Sequence, residues 1–401
     1  MGVNSWVVES RVVTKLINRL LIVLACHIFL AQTAQAQWNH ELELELRYFA
    51  NAPQFEEQGR NAAAVIYRPI WSAAVGDSLF DFRGIVRYDE NDQERNLIDI
   101  TELSWSYAFK DWELKLGIGK VFWGVAETQH LVDIINQTDL VDDIDTETKL
   151  GQPLISLSRV SNIGVFDFFV LPFFRERTFA GPSGRLRTQP FVNTDLAVFE
   201  SDDEQSNIDF AVRWSHSIGI FDLGLSYFNG TGRDPVFTLS EDSAALVPNY
   251  VQIEQFGIDA QATSGAWLWK LEAIDRSASE NFPSESFQAA VFGLEYTFFD
   301  LAGADIGIVI EHSYDSRGEQ SISDDLTFIG ARLALNDEQS TDLLIGCSAD
   351  GSLCSVEGSR RIGESVKLSV RGNTFSNISE DDFLAAQRDD DFLQLNLTYF
   401  F

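Results

Sequence analysis

The chain has 401 residues, a formal net charge of −32 and a mean hydropathy of −0.06. So negative a charge argues against binding to a nucleic acid backbone, and the length exceeds that of an average single domain. Aromatic residues are frequent for so acidic a chain, with 31 Phe, 9 Trp and 9 Tyr.

The N-terminus has the three parts of a signal peptide. Residues 20–31 (LLIVLACHIFLA) form an apolar run too short to span a bilayer, and AQA at 34–36 is a small-residue cleavage motif. The basic residues before the apolar run are Arg11, Lys15 and Arg19. We predict a cleaved signal peptide over residues 1–36 and a mature domain over residues 37–401.

Cleavage removes three basic residues and Glu9, which takes the net charge from −32 to −34. Cys26 follows VLA and also permits a lipoprotein signal, but the apolar run continues past it. No later segment offers the roughly 20 apolar residues of a membrane helix. An exported soluble protein and an outer-membrane barrel are the two classes that remain.

The chain ends in DFLQLNLTYFF, which alternates apolar and polar residues. A strand places such alternating residues on opposite faces. One face would suit lipid and the other a polar interior. The apolar set is Leu393, Leu395, Leu397, Tyr399 and Phe401, and the polar set is Gln394, Asn396 and Thr398.

The same alternation recurs in ELELELRYF, LFDFRGIVRY, WELKLGI, IDFAVRW and ESVKLSVRG. Each segment has about the length of a tilted transmembrane strand. A soluble core excludes a row of inward glutamates, whereas a water-filled lumen accepts it. The charges predicted to face a lumen are Glu41, Glu43, Glu45, Arg83, Arg87, Lys115 and Arg213.

Short turns and long polar loops alternate between these segments. The turns lie near Gly76, 110–111, 161–164, 264–265, Gly303, 336–339 and 362–364, and the loops near 50–61, 124–150, 176–206, 230–249, 278–285 and 376–389. This pattern predicts an all-β fold, a closed antiparallel transmembrane β-barrel of about 18 strands. Sixteen strands is the alternative if the region 340–362 is divided differently, and a large soluble β-sandwich or propeller is the other fold considered.

Aromatic residues cluster at the ends of the segments, as in the girdles of membrane barrels. They are Tyr67, Trp71, Tyr107, Phe109, Trp112, Trp123, Tyr227, Phe228, Trp267, Trp269, Tyr296, Phe298 and Phe299. Two interfacial girdles are therefore expected.

The last strand resembles the C-terminal signature of Gram-negative outer-membrane barrels, through Leu397, Tyr399 and Phe401. The resemblance implies a bacterial outer-membrane location, with lipids and lipopolysaccharide as neighbours. It also implies that Tyr399 and Phe401 form an assembly signal for the barrel assembly machinery.

Gly119 to Pro153 is predicted to be the third outer loop, between strands five and six. The third loop of general porins folds inward, so this position is a resemblance in topology. GKVFWG with the later INQTDLVD also resembles a group of porin-like proteins that carry WG after a strand. The alternative is a loop packed on the rim.

Within this loop, ETQHLVDIIN has the spacing of a short helix, with Leu131, Ile134 and Ile135 on one face. The predicted pore constriction consists of Glu127, His130, Asp133 and Asp139.

Two charged clusters admit functional interpretations that we disfavour. The first cluster comprises Asp142, Asp143, Asp145 and Glu147. It could hold calcium, but it lacks the glycine and final glutamate of an EF-hand. The second could create a transverse field or bind lipopolysaccharide phosphates, but pairing with nearby acids is the preferred interpretation; it comprises Arg175, Arg177, Arg185 and Arg187.

Catalysis is not expected, because none of His40, His130, His216 and His312 lies in a nucleophile motif. No cofactor or metal motif is present.

Cys347 and Cys354 flank an Asp350-Gly351 pair that predicts a two-residue hairpin turn. The turn would place the cysteines opposite each other with Cα atoms about 5.5 Å apart. Export permits oxidation, so a disulfide is predicted.

The sequence predicts a porin-like passive channel for small hydrophilic solutes with a modest cation preference. A plugged barrel that acts as an adhesin or structural protein is the main alternative, and a barrel enzyme is the weaker one. The sequence leaves the oligomeric state undetermined, with a trimer as one option.

Overall fold

The structure is a computed structural model that describes residues 35–142, 144–321, 324–379 and 384–401. The predicted signal peptide lies outside the described residues except for its last two positions, and Asp143 of the predicted calcium cluster also lies outside them. Within the described ranges, no helix has the length and apolar character needed to cross a membrane.

The described residues form twenty-one strands, many of them long enough to span a bilayer. In chain order they are β1 (Gln35–Phe49), β2 (Asn61–Val75), β3 (Ser78–Asp89), β4 (Leu97–Phe109), β5 (Trp112–Gly119), β6 (Gln152–Ser161), β7 (Gly164–Leu171), β8 (Val198–Phe199), β9 (Asp209–Ile218), β10 (Phe221–Thr231), β11 (Val236–Leu239), β12 (Leu246–Tyr250), β13 (Gln252–Ser264), β14 (Trp267–Ala278), β15 (Phe287–Leu301), β16 (Ala304–Asp315), β17 (Thr327–Leu335), β18 (Asp342–Ser348), β19 (Leu353–Ile362), β20 (Val366–Phe375) and β21 (Phe392–Phe400).

Eighteen of these strands form one closed antiparallel sheet. Each barrel strand pairs with its neighbours in the chain, and β21 pairs with β1 in the register Leu44↔Leu397. The remaining three, β8, β11 and β12, form a small sheet in the long loops. The predicted fold class and the count of 18 strands are confirmed.

Short 3-10 helices occupy parts of the connections. They are Gln93–Arg95, Thr194–Leu196, Glu204–Ser206, Pro283–Glu285, Gly318–Gln320 and Ala385–Gln387.

The alternation along each strand separates an apolar outer surface from a polar interior. In β21, the side chain of Leu395 is 44% exposed on the outside, whereas Gln394 is 5% exposed inside the barrel. In β1, Leu42 and Leu44 lie outside, and Glu43 and Glu45 are buried inside. Closure of the sheet pairs the backbone of every barrel strand on both sides, which is what a lipid environment requires.

Short turns lie at one rim of the barrel and the long loops at the other. Seven of the eight turns were predicted; the turn at Gly219-Ile220 was missed. Three long loops are named here: L3 (residues 120–151), L4 (172–208) and L9 (376–391). L3 joins β5 to β6, as predicted.

An apolar cluster lies inside the barrel, where L3 packs against the wall. It includes Trp123, Ile135, Leu171, Phe228 and Phe287. The assignment of Trp123 and Phe228 to the aromatic girdles is therefore wrong. Trp123 enters the barrel with L3 and its ring packs on Phe169, while Phe228 has the inward parity of β10.

Other aromatic residues do form stacked rows near the rim with the short turns. Trp267 contacts Trp269 and Tyr296, and Tyr107 contacts Phe109. These rows fit an interfacial girdle.

The hairpin between β18 and β19 differs from its prediction. Its loop has four residues, 349–352, because the Asp350 carboxylate accepts hydrogen bonds from Ser348 and Ser352 within the turn. Cys347 and Cys354 lie opposite each other and are joined in a disulfide. Their Cα atoms are 4.0 Å apart, closer to the spacing of a non-hydrogen-bonded pair than to the predicted 5.5 Å.

Candidate functional site: loop L3 and the lumen

L3 is held inside the barrel by two wall carboxylates that accept hydrogen bonds from its backbone. Glu272 of β14, which is 0% exposed, accepts from the N–H groups of Val125, Ala126 and Val132 at 2.6, 2.9 and 3.3 Å. Glu311 of β16 accepts from the N–H groups of residues 127 and 128 at 2.8 and 2.9 Å. Such charge-assisted bonds are stronger than neutral ones, so this part of L3 is fixed to the wall.

The predicted helix in ETQHLVDIIN is wrong, because residues 127–136 contain no helix. Among the N–H groups bound by the wall carboxylates, that of Val132 is one that a helix over residues 127–136 would pair internally. The Asn136 side chain also crosslinks the loop, since it donates to the carbonyls of Gly119 and Leu150 and accepts from the N–H of Val121. The apolar residues of the segment instead pack in the interior cluster.

The four predicted constriction residues separate into two groups. Glu127 lies in the lumen and pairs with Lys270 and Arg332 at 2.6 and 2.8 Å. Burial would raise the pKa of Glu127, but these two cations outweigh it and lower that pKa. His130 also lines the lumen, and its Nε2 donates to Glu147 at 2.6 Å.

The other two residues lie within the loop packing. Asp133 is buried, pairs with Lys149 at 3.2 Å, and accepts from the N–H of Trp123. Asp139 is buried and accepts from the hydroxyl of Thr178 at the start of L4.

The predicted lumen charges all have partners of opposite charge on other strands or on loops. Glu43 pairs with Arg68 at 2.8 Å, Glu41 with the same arginine at 3.9 Å, and Glu45 with Arg95 at 2.6 Å. The remaining pairs are Arg83 and Lys115 with Glu102, Arg87 with Asp142, and Arg213 with Asp259.

Asp142 ties L3 to the wall on the side of β1 and β3. Burial would raise its pKa, but the charges of Arg87, Arg95 and Arg47 outweigh burial and hold that pKa far below its usual range. Asp142 also accepts from the hydroxyl of Thr148 at 2.7 Å. The carboxylate is therefore ionised at any physiological pH, and its ion pairs persist.

The described members of the predicted calcium cluster have protein partners of their own. Asp142 pairs with Arg87, Asp145 with Arg371, and Glu147 with His130. Three arginines of the cluster at the start of L4 pair with acids, as the preferred interpretation expects, and the fourth contacts an amide. The contacts are Arg175 with Asp99, Arg177 with Asp234, Arg185 with Asp390, and Arg187 with Gln189.

Three adjoining cavities lie between L3 and the barrel wall, the first two against β18–β21 and β1–β4, and the third against β13, β14 and β17–β20. The first, of about 380 Å³, and the second, of about 490 Å³, share Glu41, Arg68 and Asp142 in their lining. The third, of about 1110 Å³, lies toward the rim with the long loops and shares Asp342, Glu357 and Arg371 with the second. These cavities leave space in the lumen beside L3.

Arg371 of β20 was missed as a candidate, although its segment was recognised as a strand. Its guanidinium lies 3.2 Å from Asp145 of L3 and 3.2 Å from Glu357 of β19. It therefore spans the junction between the second and third cavities. Inward parity and strand pairing place Arg371 in the lumen opposite Glu357, and the path of L3 adds Asp145 as a second acid.

No family model and no curated protein matches this chain. Among solved structures, a BenF-like porin from Pseudomonas fluorescens Pf-5 is similar over 91% of this chain and 98% of its own, with a TM-score of 0.53 and 9% identity. OccK3 (OpdO) and OccK10 (OpdN) of Pseudomonas aeruginosa each have a TM-score of 0.51 and 10% identity over 91% of this chain and 96% and 99% of theirs.

Identities this low show the fold alone, which is the closed barrel fold of outer-membrane porins. The predicted outer-membrane location agrees with this fold and with the apolar outer surface of the barrel. The resemblance based on GKVFWG stays a prediction.

Proposed function

We propose that the protein is a porin-like passive channel of the bacterial outer membrane for small hydrophilic solutes. The observation that carries this proposal is the set of three adjoining cavities beside L3 inside a closed barrel. A lumen lined by charged and polar side chains gives hydrated solutes a path that the lipid does not.

L3 forms the constriction in this proposal. Glu127 and His130, which line the third cavity, supply its surface on the loop side. Asp145 and Arg371 narrow the junction with the second cavity. Asp133 and Asp139 act indirectly, by holding the loop in shape through Lys149 and Thr178.

A modest cation preference follows from the charges around the second and third cavities. Nine acids and five bases line them, and an acidic surplus concentrates cations. The acids are Glu41, Glu43, Glu45, Glu127, Asp142, Asp145, Glu147, Asp342 and Glu357, and the bases are Arg68, Lys270, Arg332, Lys367 and Arg371.

The second candidate function is a plugged barrel with an adhesive or structural role. The observation that favours it is the apolar cluster under L3, which fills the lumen beside β6, β7, β10, β14 and β15. For this second function, the cavities on the other side of L3 would also have to lack a continuous path for solutes.

The proposed assembly signal is Tyr399 with Phe401. Phe401 exchanges backbone hydrogen bonds with His40 at 2.9 and 3.0 Å, and its ring stacks on those of His40 and Tyr399. Its side chain stays exposed on the outer surface, where assembly machinery and, later, lipid could contact it. A trimer and contact with lipopolysaccharide remain proposals without a specific contact here.

Single-channel recording in planar bilayers under a KCl gradient tests the channel proposal. We expect steady conductance and a reversal potential of the sign for K⁺. Silence would favour the plugged barrel, and an anion-selective reversal potential would contradict the cation preference.

In Arg371→Gln, loss of a base at the junction should raise both the conductance and the cation preference, whereas Arg159→Gln on the outer surface of β6 should change neither.

A further inference from the structure

The third cavity, called here the vestibule, has an unusually apolar lining for a path of hydrophilic solutes. Its apolar residues include Phe122, Val125, Ile144, Leu326, Phe328 and Phe375. The second cavity has almost none, since Val370 and Phe400 are the large apolar side chains in its lining. A solute in the vestibule therefore contacts apolar as well as charged side chains, whereas a solute in the second cavity contacts mainly polar and charged ones.

Phe122 lies at the surface of the vestibule. Its side chain is 57% exposed, whereas Trp123, the next residue in L3, is 4% exposed. The ring meets His130 edge to face, with centroids 4.8 Å apart. The loop buries or partly buries its other large apolar residues and leaves this ring open to the lumen, where lipid cannot cover it.

Phe328 supplies a second ring on the opposite wall. The outer end of its ring lies against Gly330 and Gly346, which face each other across β17 and β18. A Cβ atom on Gly346 would come within 1.9 Å of the Phe328 ring. The glycine pair thus makes room for an aromatic floor in the vestibule.

The charges of the vestibule leave a negative surplus beside these rings. Its three Lys and Arg side chains are all paired, Lys270 and Arg332 with Glu127, and Arg371 with Asp145 and Glu357. Glu147 and Asp342 have no Lys or Arg partner among the described residues. Glu147 contacts His130, and Asp342 accepts from the hydroxyl of Ser359.

We propose that the vestibule binds amphipathic organic cations, with the apolar group against Phe122 and Phe328 and the ammonium toward Glu147 and Asp342. Aromatic surface and carboxylates together recognise such solutes, because the ring faces attract a cation and the carboxylates neutralise it. This inference rests on the proposed channel function and names the class of solute that binds in the vestibule.

Block of the KCl current by benzylammonium, added on the side of the long loops, tests the inference. We expect benzylammonium to block at concentrations where methylammonium and benzoate do not. Methylammonium lacks the ring, and benzoate has the opposite charge. Equal block by methylammonium, or stronger block by benzoate, would overturn the proposal. A channel that conducts KCl without any benzylammonium block would also overturn it and leave the channel function intact.

Two variants locate the contact. Phe122→Ala and Glu147→Gln should each raise the half-blocking concentration about five-fold, with the block in each variant measured relative to its own KCl current. The matched controls are Phe173→Ala, an exposed ring at the start of L4, and Glu241→Gln in an exposed loop. Unchanged block in both vestibule variants would show that the cation binds elsewhere.

Discussion

Parity along a strand decides whether a single side chain faces lipid or the lumen. In β21, Leu395 lies on the outer surface, while the neighbouring Asn396 donates to Glu43 inside the barrel at 2.6 Å. The sequence alone predicts this separation, because the strand period is two. It does not predict which inward charges meet, since partners such as Arg95 and Glu45 come from separate strands and loops.

Leu395→Arg should reduce barrel assembly far more than Asn396→Arg. The first change places a charge on the lipid side near the middle of β21, which costs roughly 2–4 kcal/mol at the bilayer midplane. The second places it beside Glu43 in the lumen, where the charge is compensated. Heat-modifiable migration after folding into lipid vesicles measures the yield. Equal yields for both variants would contradict the parity assignment.

The number of free thiols tests both the disulfide and the signal peptide. We expect none in the unfolded, unreduced protein recovered from the outer membrane, because Cys347 is bonded to Cys354 and Cys26 leaves with residues 1–36. Mass spectrometry after maleimide labelling gives the count. One thiol would mean that Cys26 is retained, and two on a cleaved chain would mean that the disulfide does not form.

At the scale of elements, L3 depends on two strands far from it in sequence. Glu272 and Glu311 are inward residues of β14 and β16 whose carboxylates accept from the backbone of L3. Local spacing favours a helix in residues 127–136, but distant contacts fix another conformation: Glu272 accepts from the N–H of Val132, and the apolar residues of the segment pack in the interior cluster. The helix prediction failed for that reason, and a single sequence without contact information contains no signal that would correct it.

Glu272→Ala should release L3 from the wall. Three backbone N–H groups lose their acceptor, and hydrogen bonds to a charged group are worth about 1.5–3 kcal/mol each. We expect larger and noisier single-channel conductance and faster proteolysis within residues 120–151, with the barrel still folded. Asp275→Ala is the control, since this residue lies on the same strand and faces outward. Unchanged conductance in Glu272→Ala would contradict the anchoring role.

At the scale of the whole molecule, closure of eighteen strands creates a lumen. The charges around this lumen together set its preference for ions. Acids predominate around the open cavities, and L3 supplies His130 as a charge that changes with pH. Burial alone would lower the pKa of His130, but the hydrogen bond with Glu147 and the charges of Glu147, Glu272 and Asp133 raise it above 6.5.

The cation preference should therefore increase as the pH rises above 6.5. Below that pH His130 is charged and its charge offsets that of Glu147. The stabilisation from the ion pair between them is then fully present. As the pH rises through the raised pKa, His130 loses its charge, and the offset and the stabilisation are lost with it. Reversal potentials between pH 6 and 9 measure this change. His130→Gln should abolish it and His312→Gln, on the outer surface, should not. A preference that falls with pH would contradict the assignment.

The sequence by itself determined the strands, their inward and outward faces, the barrel class and the position of L3 between β5 and β6. These features depend on period-two alternation and turn residues, which are local. The tertiary structure alone decided the path of L3, the interior location of Trp123, and the meeting of Asp145 with Arg371. Those features depend on which distant strands become neighbours when the sheet closes, and local patterns do not contain that information.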